Sequence, residues 1–281
     1  MSFVVDWPGL QALWRSSLGV YAQHFLYSKE SWIFGLIPLY ILTQPLLALL
    51  VSRWDVYNEN KPRWKVLMVT YNLGLSVFSL ASAVLMTRIV LLELPQRGFH
   101  ESNFSHPTYA ALVYYFYISK YVEFFDTYFL LLQKKEVSLL QWLHHVGAPL
   151  NVGLLYYTQD PGAHLFIILN GFIHTLLYLY YAATISGFKV RGKWVLTALQ
   201  IAQFNVGFYI YTFFLQIPAY RSSAQSMASH LFTWAYVGVI ELLFLHFFVS
   251  EYLLSGSKKP RSALLSSHSS HALLDPDAKT K

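Results

Sequence analysis

Apolar runs recur seven times along the chain, in windows near residues 32–52, 66–87, 109–132, 137–157, 163–185, 194–215 and 229–254. Each is about as long as a helix needs to span the hydrocarbon core of a bilayer, roughly 20 residues. The pattern predicts an all-α polytopic membrane protein with seven transmembrane helices over residues 31–254. The tightest break is Gln133-Lys-Lys-Glu136, which makes the third and fourth windows antiparallel neighbours. Residues 1–30 read as an N-terminal interfacial segment: residues 8–30 are amphipathic, and no basic start leads into an apolar core as in a cleavable signal. Residues 255–281, rich in Ser, Lys and His, read as a disordered basic tail.

Polar residues interrupt these windows at helical spacing. In the third, Lys120, Glu123 and Asp126/Thr127 fall at i, i+3 and i+6/7, on one helix face. Charges at membrane depth are costly and mark a functional interior by default. In the fourth, Gln141, His144 and His145 precede Gly147 and Pro149. Adjacent membrane histidines suit metal ligation, proton transfer or nucleophilic attack. In the fifth, Asn170, His174, Tyr178 and Tyr181 form one stripe, and in the sixth Thr197, Gln200 and Gln203 repeat at i, i+3, i+6. Amides of the last kind also serve simply to join helices. Asn72, Glu241 and His246 share no such stripe, and pairing with another helix is their default role. Four consecutive windows thus point polar groups at a common interior and predict an enclosed polar chamber.

Composition sharpens this reading. The chain is 55% hydrophobic and only 12% charged, about half the charge of a soluble domain. It has no cysteine, which excludes disulfides, Cys-ligated metals and a Cys nucleophile. Of 20 lysines and arginines, 14 lie on one set of connections and five on the other, with Lys120 inside a window. By the positive-inside rule this predicts a lumenal N-terminus and a cytosolic C-terminus. The net charge of +6 follows that topology, so nucleic acid is not its partner. Asn103-Phe-Ser105 is a glycosylation sequon on the outer side, close to the membrane.

Two other chemistries fit poorly. A di-iron site needs many histidines in boxes, and no membrane pair here has i, i+4 ligand spacing, so no metal is expected. A seven-helix receptor shares the topology, but its charges would not sit mid-helix and towards the cytosol.

The ordered series Lys120-x-x-Glu123-x-x-Asp126-Thr127, Gln141-x-x-His144-His145, Asn170-x-x-x-His174-x-x-Leu177-Tyr178-x-Tyr180-Tyr181 and Thr197-x-x-Gln200-x-x-Gln203 resembles the fatty-acid elongase family, the membrane 3-oxoacyl-CoA synthases of the endoplasmic reticulum. The resemblance covers roughly residues 30–255 and includes Asn72 and Ser79. Gln141 stands where the family's first box histidine is usual, and Leu177 where Met is usual. Gln141-x-x-His-His followed by Gly147-Ala-Pro149 is similar to a subset acting on polyunsaturated C18 chains with a first double bond at C9.

The resemblance implies six helices around a narrow tunnel, open to the cytosol and closed at its far end. It implies condensation of a long-chain acyl-CoA with malonyl-CoA to 3-oxoacyl-CoA, CO2 and CoA, with no tightly bound cofactor. His144 matches the imidazole thought to attack the thioester. His145 would orient or deprotonate it, and His174 would position malonyl-CoA and steer its decarboxylation. Asn170, Gln200 and Gln203 would stabilise oxyanions. Glu123 and Asp126 would fix imidazole tautomers, with Lys120 pairing to them or reaching a CoA phosphate, and Gln141 would be structural or orienting. Lys134, Lys135, Lys189, Arg191 and Lys193 would meet CoA phosphates. The implied partners are the ketoacyl reductase, dehydratase and enoyl reductase of the elongation cycle, and a homodimer is compatible. A membrane 3-hydroxyacyl-CoA dehydratase of the same pathway is the alternative enzyme.

Overall fold

A computed structural model describes residues 35–96, 103–216 and 224–254. The interfacial segment expected over residues 1–30 and the tail over 255–281 lie outside the described residues. The described residues form helices and no strand. Helix α1 covers Leu36–Arg53, and a single turn at Val56–Glu59 leads to α2, Lys61–Arg88. Pro62 lies in the first turn of α2, where its missing N–H costs no hydrogen bond. A wide turn over Ile89–Glu93 and a tight one over Leu94–Gln96 carry α2 further. Helix α3 is Pro107–Val122, capped by the His106 side chain, which accepts from the Tyr109 N–H. Helix α4, Phe124–Leu132, follows after a break at Glu123. Then come α5 (Leu139–Tyr157), α6 (Ala163–Ser186), α7 (Lys193–Phe213) and α8 (Ala224–Phe248), which ends in a wide turn over Val249–Leu254.

A helix lies in each of the seven apolar windows. Four stretches are long and apolar enough to cross a membrane, Leu36–Arg53, Lys61–Gln96, Ala163–Ser186 and Met227–Leu254, as expected of a multi-pass membrane protein. The remaining windows hold α3/α4, α5 and α7, which carry the charges, imidazoles and amides. The third window departs from expectation: it is not one helix. The ladder fails after Val122, and the Asp126 N–H bonds Glu123 O at 3.0 Å in a tighter turn.

The helices close a ring. Helix α2 packs along α6, α6 meets α7, α7 meets α8, α8 meets α5, α5 meets α3, and α3 touches both α2 and α6. The α2–α6 seam is the most extensive because small residues let the backbones approach. A Cβ on Gly171 would lie 2.9 Å from both Ser79 O and Ala83 Cβ, and Ser76 Oγ donates to Thr175 O at 2.9 Å. Helix α1 stands outside the ring and packs on α4. Outward residues such as Leu42, Val77 and Leu242 are exposed and apolar, whereas Lys120, Glu123, Thr127 and His174 are buried. The exterior is largely apolar and charged side chains are buried within, unlike a soluble bundle.

Candidate active site

The break at Glu123 shapes the site. Lys120, 3% exposed, donates to Glu123 Oε1 at 2.6 Å and to Asn170 Oδ1 at 2.9 Å, and its ammonium stands 4.3 Å from the centre of the Phe116 ring. One cation therefore ties α3 to α6 and holds the carboxylate in place. The carboxylate lies between two imidazoles: Oε1 is 3.7 Å from His174 Nδ1, and Oε2 is 4.0 Å from His144 Nε2. The His144 and His145 ring centres are 5.5 Å apart, and those of His144 and His174 6.2 Å.

Two cavities meet here. A polar one, lined by Glu123, Gln141, His144, His145, His174 and Gln200 among others, lies towards the α4–α5 and α6–α7 connections. A mainly apolar one, lined by Phe116, Ala148, Leu169, Phe208, Tyr211 and Ile240 among others, runs towards the opposite end. His144, Asn170, Gln203 and Phe204 line both. At the far end of the apolar cavity, the Tyr211 hydroxyl donates to Asp160 Oδ2 at 2.8 Å, and its ring stacks on His230 at 4.4 Å. The fully buried Asp160 also accepts from the Gly162 N–H.

Most residues singled out from the sequence converge on the polar cavity, including Tyr178 and Tyr181. His145 Nδ1, His174 Nδ1, Gln200 Oε1 and Gln203 Oε1 are buried without a hydrogen-bond partner among the described residues. Buried polar atoms left bare in this way point to a ligand or water that would complete them.

The other residues singled out from the sequence are placed as follows. Asp126 lines the same cavity as the histidines, and there it accepts from the Tyr178 hydroxyl at 3.0 Å. The Lys120 ammonium pairs with Glu123 and is too deep in the ring to face CoA phosphate. Lys134, Lys135, Lys189, Arg191 and Lys193 line neither cavity. Lys134 pairs with Asp55 at 3.6 Å in the tight α4–α5 reversal, where its own φ is 56°. Gln141 joins a relay in which its amide donates to Thr127 Oγ1 at 3.2 Å, itself 2.8 Å from the Tyr40 hydroxyl. Asn72 donates to Met68 O within its own helix, and Glu241 takes up an Asn205 N–H at 2.6 Å, each away from the site.

Sequence reasoning missed Tyr236 and Tyr40. Tyr236 of α8 packs onto Gly147, where any Cβ would collide with its ring, and its hydroxyl donates to His144 O at 3.2 Å. Tyr40 of α1 lies 6.2 Å from the His145 ring centre and nearly parallel to it. Neither belongs to a polar stripe; each acts from a single position on a helix distant in sequence. The one signal was Gly147 two residues after the His pair.

Glu123, His144 and His174 each offer a ligand atom, all within 4.8 Å of one another. The Lys120 ammonium already neutralises this carboxylate at 2.6 Å, and a divalent cation would be set against it. The donor set suits proton and acyl chemistry better than metal ligation.

Residues 25–260 match the family model described as ELO, the GNS1/SUR4 family. The chain is similar to "Putative fatty acid elongase 4" of Caenorhabditis elegans, 28% identical over 77% of this chain and 78% of the relative. It is also similar to "Very long chain fatty acid elongase 6" of Gallus gallus, 31% identical over 66% of this chain and 73% of the relative. A third relative, "Putative fatty acid elongase 2" of Schizosaccharomyces pombe, is 30% identical over 76% of this chain and 61% of its own length.

Proposed function

From the premise that this chain belongs to the GNS1/SUR4 (ELO) family, we propose that it is a fatty-acid elongase, a very-long-chain 3-oxoacyl-CoA synthase. It condenses a long-chain acyl-CoA, of the polyunsaturated C18 type, with malonyl-CoA. One observation carries this reading: His144 is the imidazole that lines both the polar and the apolar cavity. An acyl chain in the apolar cavity brings its thioester carbon to His144, while CoA extends through the polar cavity.

His144 Nε2 attacks the thioester carbonyl, the C–S bond breaks, and CoA leaves as thiolate, forming an acyl-imidazole. Imidazole is a good nucleophile near neutrality and a good leaving group, so the intermediate is reactive. Malonyl-CoA then enters the polar cavity beside His174. Its carboxylate departs as CO2, and the electron pair left on the α-carbon attacks the acyl carbon. The new C–C bond displaces the imidazole and gives 3-oxoacyl-CoA. Asn170 and Gln203, at the junction, and Gln200 beside them suit the oxyanions that form in both steps. Glu123 lies against both His144 and His174 and orients them, and Lys120 positions Glu123 and Asn170. Gln141, which has no proton to shuttle, is structural, as its bond to Thr127 supports.

The wider reading follows the lysine and arginine distribution. Residues 31–254 form a seven-span elongase domain in the endoplasmic reticulum membrane with the N-terminus lumenal. The basic connections bearing Lys134, Lys135, Lys189, Arg191 and Lys193 then surround the cytosolic mouth, where CoA phosphates arrive. The product passes to a ketoacyl reductase, a dehydratase and an enoyl reductase.

The test is direct. Purified protein is incubated with C16–C20 acyl-CoAs and labelled malonyl-CoA, alongside His144→Ala. Label in 3-oxoacyl-CoA that depends on His144 is expected. Product from the alanine variant at the wild-type rate removes His144 as the nucleophile, and no product from folded protein with any chain defeats the condensing reaction.

A further inference from the structure

Attack by His144 needs a lone pair on Nε2. A neutral imidazole carries one N–H, on either nitrogen, and the hydrogen bond made by one of them decides which. Glu123 Oε2 stands 4.0 Å from His144 Nε2, beyond the reach of a hydrogen bond. The other nitrogen does have a partner: the Tyr236 hydroxyl lies 3.4 Å from His144 Nδ1. Tyr236 lines only the apolar cavity and Glu123 only the polar one. Nδ1 is thus turned to a wall of the apolar cavity, and Nε2 towards the junction of the two.

The direction of the Tyr236 bond follows from its second partner. The same hydroxyl donates to His144 O at 3.2 Å. A carbonyl oxygen can only accept, so this bond takes the one proton of the phenol. The phenol then meets Nδ1 with a lone pair, and the proton between them belongs to Nδ1. Gly147 makes the approach possible. It follows His144 by three residues on α5, on the same helix face, and the Tyr236 ring occupies the space that a Cβ there would take. The imidazole and its own carbonyl are therefore held by one hydroxyl from α8, which fixes both the ring and its tautomer.

We propose that Tyr236 is a positioning residue that holds the His144 proton on Nδ1 and so leaves Nε2 as the nucleophile. The inference rests on the condensing reaction proposed at His144 and deepens it. In the first half-reaction the Nε2 lone pair forms the bond to the acyl carbon. The C–S electron pair leaves on sulfur, and the CoA thiolate takes its proton from solvent. The ring keeps its Nδ1 proton, so the acyl-imidazole is held in its protonated form against the phenol oxygen. A neutral phenol accepts that hydrogen bond without removing the proton. In the second half-reaction the carbon nucleophile freed by decarboxylation takes the acyl group, and the N–C electron pair returns to Nε2. The imidazole is neutral again with its proton still on Nδ1. No proton enters or leaves the ring during the cycle.

The experiment compares full-length wild type with Tyr236→Phe, which keeps the ring on Gly147 and removes only the hydroxyl. The first readout is CoA released in the first turnover from a C18 acyl-CoA without malonyl-CoA. The variant should release it about tenfold more slowly, the worth of one hydrogen bond, with KM for malonyl-CoA unchanged. The second readout is the tautomer itself. 2-Bromohexadecanoyl-CoA alkylates whichever nitrogen of His144 holds the lone pair, and acid hydrolysis separates the two substituted histidines. The wild type should give the Nε2 adduct alone, and Tyr236→Phe should give the Nδ1 adduct beside it. A merely structural tyrosine would change stability without moving the site of alkylation. An Nδ1 adduct from the wild type overturns the proposal, as does either a wild-type rate of CoA release or an Nε2 adduct alone in the variant. If Tyr236→Phe does not fold, Gly147→Ala, whose Cβ displaces the phenol, decides, and an Nε2 adduct alone overturns the proposal there too. Condensation with an unmoved alkylation site defeats this inference alone; no product from wild type with any chain defeats the condensing reaction and this inference with it.

Discussion

The two cavities that meet at His144 are built by opposite means. The polar one is held by charge: Lys120, Glu123 and Asn170 lock α3 to α6 through bonds of 2.6 and 2.9 Å. The apolar one is held by shape: Tyr236 seats on Gly147, Phe208 meets Trp234 at 4.8 Å, and Tyr211 closes the end against His230. Acyl transfer needs reacting groups fixed to fractions of an ångström, and directional bonds do that best. On the proposed function the apolar half receives an alkyl chain, which asks mainly for a smooth wall and a stop.

Substitutions in each half break this contrast in different ways. The largest loss is expected from Lys120→Met. It leaves Glu123 buried without its cation, which costs about 3–5 kcal/mol and lowers the thermal unfolding midpoint. The double change Lys120→Met with Glu123→Gln should recover much of that stability without restoring activity. Gly147→Ala comes next, because a Cβ there collides with the Tyr236 ring. Overpacking of this kind costs about 1–3 kcal/mol, and chemical denaturation would measure it. Tyr211→Phe should cost about 1–3 kcal/mol by removing the hydroxyl that Asp160 accepts from. Tyr211→Ala should also let longer acyl chains be elongated, read as a shift in product length. Such a shift without loss of rate on C18 chains would sharpen the contrast; an equal loss on all chains would break it. The smallest effect is expected from Lys189→Gln with Arg191→Gln. Exposed charges are worth about 0–1 kcal/mol, so KM for malonyl-CoA should rise by no more than about fivefold, most at low salt.

Much of the polar half was legible in the sequence, because stripes at i, i+3 and i+4 are a property of one helix at a time. Lys120, Glu123, His144, Asn170, His174 and Gln203 could be assigned to one interior for that reason. The break at Glu123 was not legible: no proline or glycine marks it. The apolar half was far less legible. Tyr211 and Tyr236, which line it, lie among many similar aromatic side chains. Only the ring closure of α5, α7 and α8 brings them to one wall.

Helix α1 has a consequence for the protein as a membrane component. Its 18 residues are about 27 Å long, close to the hydrocarbon thickness of a thin bilayer such as that of the endoplasmic reticulum. Although α1 stands outside the ring, its Tyr40 reaches in to Thr127 and so to Gln141, beside the histidine pair. A helix matched to a thin bilayer must tilt or drag its flanks when sterols and longer chains thicken the membrane. Any such adjustment of α1 bears on Tyr40, and so on the hydrogen bonds that join it to Thr127 and Thr127 to Gln141.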